Sequence, residues 1–201
     1  MKKVRSAEAT QAKIAKLEAK GNLKPIDKIA EIVKGFFVGG VESKGENDGI
    51  VPLTAFAFKS GKLIEHFIVP PEALEITEPQ NAVKAVGLMW KVKGVEFDEV
   101  VIASETYFVS TKKPTEKKPS ECANRKEAIC LLASRADGKN TALLLNMVRK
   151  GGKVFLRQGK KADGAGGGII ESFWAGYRDI ENKTSEIFNR LGNNEPQVNL
   201  C

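Results

Sequence analysis

The sequence predicts an α+β domain with a mostly antiparallel sheet, and three observations lead to this prediction. Two stretches, 51–69 and 128–149, each hold a pair of extended apolar segments around a short polar turn, which is typical of a β-hairpin. Single extended segments stand alone elsewhere in the chain. Between these stretches, apolar residues recur at helical spacing. We therefore expect a sheet built from two hairpins plus single strands, helices packed on one face, and a helical N-terminus.

The N-terminal segment predicts a helix over residues 6–20. Ser6 suits an N-cap, alanine and straight-chain residues fill the interior, and Gly21-Asn22 supplies a stop. Because the apolar stripe of this helix is thin, we expect it to be loosely attached. The expected organisation is an N-terminal helix over 1–22, a single α+β domain over 23–191 and a C-terminal tail over 192–201.

The first half of the domain alternates between helical and extended patterns. Proline suits the first turn of a helix, and Lys59-Ser60-Gly61-Lys62 is a typical hairpin turn. In chain order we expect a helix from Pro25 to about Phe37, a polar loop over 41–49, hairpin strands over 51–58 and 63–69, and a helix over 78–93.

The second half is dominated by extended segments. Asp137-Gly138-Lys139-Asn140 is typical of a turn between strands, and the glycine-rich stretch 164–168 precedes an amphipathic segment. The predicted elements are a long strand over 97–109, hairpin strands over 128–136 and 141–149, a short strand over 153–158, and a helix over 169–190.

Composition indicates the class of protein. Of the 201 residues, 42% are hydrophobic and 28% are charged, which fits a globular chain. No apolar run approaches the roughly 20 residues that span a bilayer, and the N-terminus lacks the apolar stretch of a signal peptide, so we expect a cytoplasmic protein. Cysteine occurs three times and histidine once, with no CxxC pair, so we expect neither a metal nor a cofactor.

An excess of basic residues favours an anionic partner. The 32 Lys and Arg against 25 Asp and Glu give a net charge of +7. The stretch 149–161 contains no acidic residue, and the glycine-rich loop after it could present backbone N–H groups to a phosphate. The candidate anion-binding residues are Arg149, Lys150, Lys153, Arg157, Lys160, Lys161, Gly166 and Gly167.

A second basic group, Lys112, Lys113, Lys117 and Lys118, lies in the loop after the long strand. If both groups meet on one side of the sheet, they form a groove able to follow a phosphate backbone. The alternative is that these lysines maintain solubility and that the glycine-rich segment is a flexible surface loop.

Polar residues inside the long strand suggest a different function. Ser104 and Glu105 follow four apolar residues, and Glu105 would come within reach of Arg125 or Glu127 if this strand pairs with the one from Ala128. A carboxylate in this position could act as a general acid or base. A structural ion pair is the alternative, because a buried carboxylate is costly unless it is paired.

The stretch from Val100 to Lys150 resembles a pattern found in uncharacterised bacterial and phage proteins of α+β type. Its elements are a strand that ends in Ser104-Glu105 with an aromatic residue soon after, then Pro119-Ser120, residues 124–128 (NRKEA), and Asp137-Gly138 in a turn. Members of this group place an aromatic residue directly beside the glutamate, where this chain has Thr106. The resemblance implies a prokaryotic or mobile-element origin and no particular activity.

Three hypotheses about function follow. The first is a small binding or accessory protein that engages nucleic acid or another phosphate-bearing polyanion through the basic stretches. The second is an enzyme that uses Glu105 together with Arg125 or Glu127. The third is a structural subunit that forms a homo-oligomer through the helix over 6–20.

Overall fold

The computed structural model describes residues 12, 15–16, 23–38, 40–42, 51–109, 121–164 and 168–179. The helices in this part of the chain are α1 (Pro25–Phe36), α2 (Pro71–Ile76), α3 (Pro79–Val92) and α4 (Gly168–Arg178). The strands are β1 (Val41–Glu42), β2 (Thr54–Lys59), β3 (Lys62–Ile68), β4 (Glu99–Phe108), β5 (Lys126–Arg135), β6 (Asn140–Lys150) and β7 (Lys153–Asp163).

All seven of these strands form one sheet in the order β1-β7-β6-β5-β4-β2-β3, and every pairing is antiparallel. The predicted α+β class with an antiparallel sheet is therefore confirmed. Both predicted hairpins are present, as β2–β3 and β5–β6. A third hairpin, β6–β7, is also present. The sequence pattern predicts these two segments as separate strands.

Backbone angles at the turns explain where the chain reverses. Ser60 and Gly61 have φ angles of 51° and 72°, and Gly151 and Gly152 have φ angles of 58° and 69°. Two consecutive left-handed residues fit the two-residue hairpin turn whose twist matches that of the flanking strands. Ser60 accepts this conformation although it is not glycine, and its N–H donates a hydrogen bond of 2.7 Å to the Asp98 carboxylate.

Strand β7 extends to Asp163, five residues beyond its predicted end at Gln158, because a bulge lets pairing with β6 continue. The pairs Leu145↔Gln158 and Leu143↔Lys161 show that residues 159 and 160 together oppose Leu144. A Cβ atom at Gly159 would stand 1.9 Å from the carbonyl oxygen of Leu144. Glycine is therefore required where the two backbones approach at this bulge.

Side chains alternate along each strand, so the sheet has two faces, which we call face A and face B. Face A carries Val101 and Ala103 of β4, and helix α1 buries its apolar stripe on this face through Ile26 and Ile29. The rest of this core consists mainly of aliphatic side chains from the central strands, including Ile129, Leu131, Leu143 and Leu145.

Face B carries Val100 and Ile102 of β4 and is covered by helices α3 and α4. Their buried side chains include Val83, Trp90 and Phe173. The prediction that the helices pack on one face is therefore wrong. Because helices cover both faces, residues 100–103 of β4 are all buried and read as an uninterrupted apolar run.

The short elements depart from the sequence prediction. Residues after Pro70 form α2, where only the end of a strand was expected, and Val41–Glu42 pair with β7 where a loop was expected. The predicted helix over 6–20, the tail over 192–201 and the part of the last helix beyond Asp179 lie outside the described residues, apart from the helical residues 12, 15 and 16. In the portion of the chain that is described, no helix is both long and apolar enough to cross a membrane.

Candidate anion-binding face

The register of three strands gathers exposed cations on face B near the β6–β7 turn. Asn146 pairs with Ala128 on one side and with Arg157 on the other, and Lys150 pairs with Lys153. Alternation along each strand then places four exposed cationic side chains on the same face as Ile102. We call these residues the basic face: Lys126, Lys150, Lys153 and Arg157. One exposed carboxylate, Glu42, stands opposite Lys153 in the register of β1.

A groove of about 670 Å³ lies along this part of the sheet. Its lining includes Arg125, Lys126, Arg149 and Arg157, together with a single carboxylate, Glu127. Strand β6 contributes Asn146 and Val148 to the same lining. The groove is therefore rich in hydrogen-bond donors and positively charged overall, which suits an anion that extends along the surface.

The two remaining arginines of the groove have partners on face A. The guanidinium of Arg125 lies over the ring of Tyr107, with its carbon 5.3 Å from the ring centroid. Arg149 Nε donates a hydrogen bond of 2.7 Å to Glu127 Oε2, and both side chains are about one quarter exposed, at 27% and 22%. Both arginines are thus held in place by the neighbouring strands, which lowers the entropy that an incoming anion would have to overcome.

The bulge at Gly159 moves Lys161 away from the basic face. In an uninterrupted ladder Lys161 would oppose Ala142 on face B, but the bulge places it opposite Leu143 on face A. There Lys161 Nζ lies 3.2 Å from both carboxylate oxygens of Asp27 in α1. Among the predicted anion-binding residues, Lys161 is therefore occupied by an ion pair that fastens α1 to the sheet.

Glu105 lies on face A, where its Oε1 accepts a hydrogen bond of 2.8 Å from the backbone N–H of Val51. Glu105, Glu127 and Arg149 line one small pocket of about 90 Å³. The structure thus brings Glu105 near Glu127, as the strand pairing predicted, but the cation that contacts Glu127 is Arg149. Arg125 stacks on Tyr107 instead.

Several predicted site residues lie beyond what the structure describes. Gly166, Gly167 and the lysine loop over 112–118 are outside the described residues, and so is the side chain of Lys160. Conversely, Lys126 belongs to the basic face although the sequence prediction did not include it. Its position two residues before Ala128, at the start of a predicted strand, was the available indication, because alternate residues of a strand share a face.

A cysteine lies on face B beside the basic face. Cys130 pairs with Ser104 and Leu144 and is partly buried. Burial raises the pKa of its thiol to about 11, so the thiolate is scarce at neutral pH. Across the described residues, no group of three or more His, Cys, Asp and Glu side chains is placed to hold a metal ion.

Comparison with known proteins returned no matching family model, no similar curated sequence and no similar solved structure. The resemblance of residues 100–150 to bacterial and phage proteins therefore stays a prediction.

Proposed function

We propose that this protein binds a phosphate-bearing polyanion, with nucleic acid as the first candidate, through the basic face and the groove beside it. The observation that carries the proposal is the common orientation of Lys126, Lys150, Lys153 and Arg157, four exposed cations that three adjacent strands present on one face. A partner that follows the surface of β5, β6 and β7 would contact several of them at once.

The physical basis is the release of counterions from the partner. Each phosphate that a Lys or Arg side chain neutralises frees condensed counterions, so the affinity falls steeply as the salt concentration rises. Lys150 and Lys153 are direct partners on adjacent strands, which lie about 4.8 Å apart, whereas Lys126 and Arg157 lie in two other rows of the same face. The four cations therefore form a patch across β5, β6 and β7 that several phosphates of one strand could contact. The described face offers no helix to enter a major groove, which favours a single strand over a duplex.

Fluorescence anisotropy of labelled single-stranded and double-stranded DNA and RNA, at several salt concentrations, tests the proposal. The test variant is Lys126→Ala combined with Arg157→Ala, because both residues line the groove. We expect weaker binding and a plot of log affinity against log salt whose slope is smaller by about 2, one for each phosphate contact removed.

The matched control is Lys59→Ala combined with Lys139→Ala, which removes the same charge at the opposite end of the strands. Lys59 pairs with Glu96 and Lys139 with Asp137, and neither lies in the groove. Equal losses in the two double variants would show that only the net charge matters and would contradict a site on face B. So would the absence of any binding at low salt.

The enzymatic hypothesis draws on the pocket that Glu105 shares with Glu127 and Arg149. A volume of about 90 Å³ holds only a few atoms, whereas substrate sites usually enclose several hundred Å³. Glu105 also has a structural role, because it accepts the Val51 N–H. This arrangement supports the ion-pair alternative for the face A cluster and leaves polyanion binding as the better-supported function.

A further inference from the structure

A second cavity on face B differs in chemistry from the basic groove. It encloses about 530 Å³ and lies where the segment before β2, the end of β3, helix α2, the first turn of α3, strand β4 and the start of α4 meet. This volume is within the range of a few hundred Å³ that is usual for small-molecule sites. The cavity has no role in the proposed binding of a polyanion.

The walls of this cavity are mainly apolar. Leu53 and Val69 are buried, with exposed fractions of 5% and 2%, and form part of the face B core. Leu74 of α2 and Ile169 of α4 line the cavity from two other elements. Side chains from four separate segments of the chain therefore contribute to one apolar surface, which is typical of a small-molecule site.

A few polar groups interrupt this apolar surface at one side. Ser104 and Thr106, two residues apart on β4, share face B and line the cavity, and Gln80 of α3 lines it as well. The Thr106 hydroxyl donates only a long hydrogen bond, 3.4 Å, to the carbonyl oxygen of Tyr107. Hydroxyl and amide groups at the edge of an apolar cavity can fix the orientation of a bound molecule by hydrogen bonding.

The charges of the described residues around the cavity disfavour an anionic ligand. Among the described residues that line it there is no lysine or arginine, and the charged one is Glu105. Helix α2 and the residue before α3 add the exposed carboxylates Glu72, Glu75 and Glu78 nearby. An anionic head group would therefore lose its hydration and meet negative charge without a cation to compensate it.

We propose that this cavity binds a small, mainly apolar molecule that carries one uncharged hydrogen-bonding group. The apolar part lies against Leu53, Val69 and Leu74, and the polar group is received by the hydroxyls of Ser104 and Thr106. The basic face and this cavity are then two independent sites on the same side of the sheet, one for a polyanion and one for a neutral amphipathic molecule.

Nuclear magnetic resonance with 1-octanol and octanoate as probes tests this site. The two probes have the same chain length, and they differ in whether the head group is neutral or anionic. In the ¹⁵N-labelled full chain we expect saturable shifts from 1-octanol at the amides of Leu53, Val69 and Thr106, and binding of octanoate that is about tenfold weaker or more. Octanoate binding as tight as octanol, or octanol shifts elsewhere in the molecule, would overturn the proposal.

Two substitutions test whether 1-octanol binds in this cavity, and a third serves as a control. Leu74→Trp fills the cavity from α2 and is expected to abolish the octanol shifts, whereas Ile76→Trp on the same helix is outside the lining at an exposed fraction of 86% and should leave them unchanged. Thr106→Val keeps the side-chain shape and removes the hydroxyl, so octanol affinity should fall by about 3- to 10-fold.

Each variant result decides the question. If Leu74→Trp loses its native spectrum, Thr106→Val alone provides the test. Octanol binding to Leu74→Trp or to Thr106→Val with wild-type affinity, in a folded protein, would contradict the site. None of these variants changes a residue of the basic face or of the groove beside it, so nucleic-acid affinity should be unchanged in all of them.

Discussion

The two faces of the sheet are completed in different ways. Among the described helices, α1 covers the mainly aliphatic core of face A, and beyond it the sheet carries Glu105, Glu127 and Arg149, which satisfy one another or the backbone. On face B the described helices α3 and α4 cover a core rich in aromatic side chains, and beyond them the sheet carries exposed cations. Charge that is paired within the protein stabilises its own fold, whereas charge left in solvent is available to a partner.

The helices on face B are held together unusually closely. A Cβ atom at Gly87 would stand 2.3 Å from the carbonyl oxygen of Phe173, and one at Gly176 would stand 2.0 Å from that of Lys84. Between these helices and the sheet, five rings form a contiguous cluster, with centroid separations of 4.7 to 6.4 Å: Trp90, Phe97, Phe173, Trp174 and Tyr177. Face A has no equivalent among the described residues.

The largest expected effect tests whether this aromatic cluster carries the stability of face B. Trp90 is 1% exposed and contacts Phe97 and Phe173. Trp90→Ala should lower the free energy of unfolding by about 3–5 kcal/mol, as measured by urea denaturation. The control on face A is Ile29→Val, which removes one methyl group from a fully buried side chain and should cost about 1 kcal/mol. A larger loss of unfolding free energy for Ile29→Val than for Trp90→Ala would contradict the prediction that the aromatic cluster dominates the stability of face B.

A second prediction concerns the part of face B beyond the helices. Because burial raises the pKa of Cys130 from 9.0 to about 11, the thiolate fraction at pH 8 is about 100-fold lower than in the unfolded chain. Labelling of Cys130 by a disulfide reagent, followed by mass spectrometry, should be slower in the native protein by at least this factor. Its rate should rise as the pH approaches 11, and equal rates in native and urea-unfolded protein at pH 8 would show that this strip of face B is open to solvent.

The close approach of α3 and α4 leads to a third, smaller effect. Gly176→Ala forces its new methyl group against the backbone of Lys84 and should cost about 1–3 kcal/mol, although alanine is the better helix former. Among the described residues, the new methyl group of Gly168→Ala on the same helix would meet Gln80 Cγ at 4.0 Å, so this variant should be neutral or slightly stabilising. Thermal unfolding of the two variants distinguishes the cost of close helix packing from the gain in helix propensity. Similar melting temperatures would contradict the close packing of α3 against α4.

The smallest expected effect lies on face A. A double-mutant cycle with Glu127→Gln and Arg149→Met should give a coupling energy of about 0.5–1 kcal/mol, since the pair is partly exposed and screened by salt. Urea denaturation at low and high salt measures it. A coupling energy near zero at low salt would mean that these charges do not stabilise the fold. It would contradict the stabilising role of paired charge on face A.

The turns made most of the fold predictable from the sequence. Gly61, Gly138 and Gly151-Gly152 mark three reversals of the chain, and all four glycines have positive φ angles. Two of the three hairpins were recognised from these residues, and the helices that begin near Pro25 and Pro79 start where expected. These features are local, so the sequence contains what determines them.

Features that depend on tertiary contacts were missed. The two-residue strand β1 exists only because β7 offers an edge to pair with, and α2 buries no residue of its own. The bulge at Gly159 depends on the approach of Leu144 across the hairpin. Residues 100–103 did contain an indication of helices on both faces, because an apolar run without alternation predicts a strand buried on both sides.

The candidate site likewise combines local features with tertiary ones. Clustered charge along residues 149–161 indicated a basic region, but only the register shows that Lys126 joins it from another strand and that Lys161 turns to Asp27. The partner of Glu127 could not be predicted from the sequence either, because Arg149 is 22 residues away in the chain.

The bulge in β7 also makes the length of this strand adjustable. Residues 159 and 160 together occupy the place of one residue opposite Leu144, so deletion of Gly159 would preserve the pairing on both sides, from Leu145↔Gln158 to Leu143↔Lys161. The position opposite Leu144, on face B, would then belong to Lys160. Loss of this one residue would thus add a cation to the basic face while the ion pair between Lys161 and Asp27 stays in place, and we expect it to strengthen the proposed binding of a polyanion.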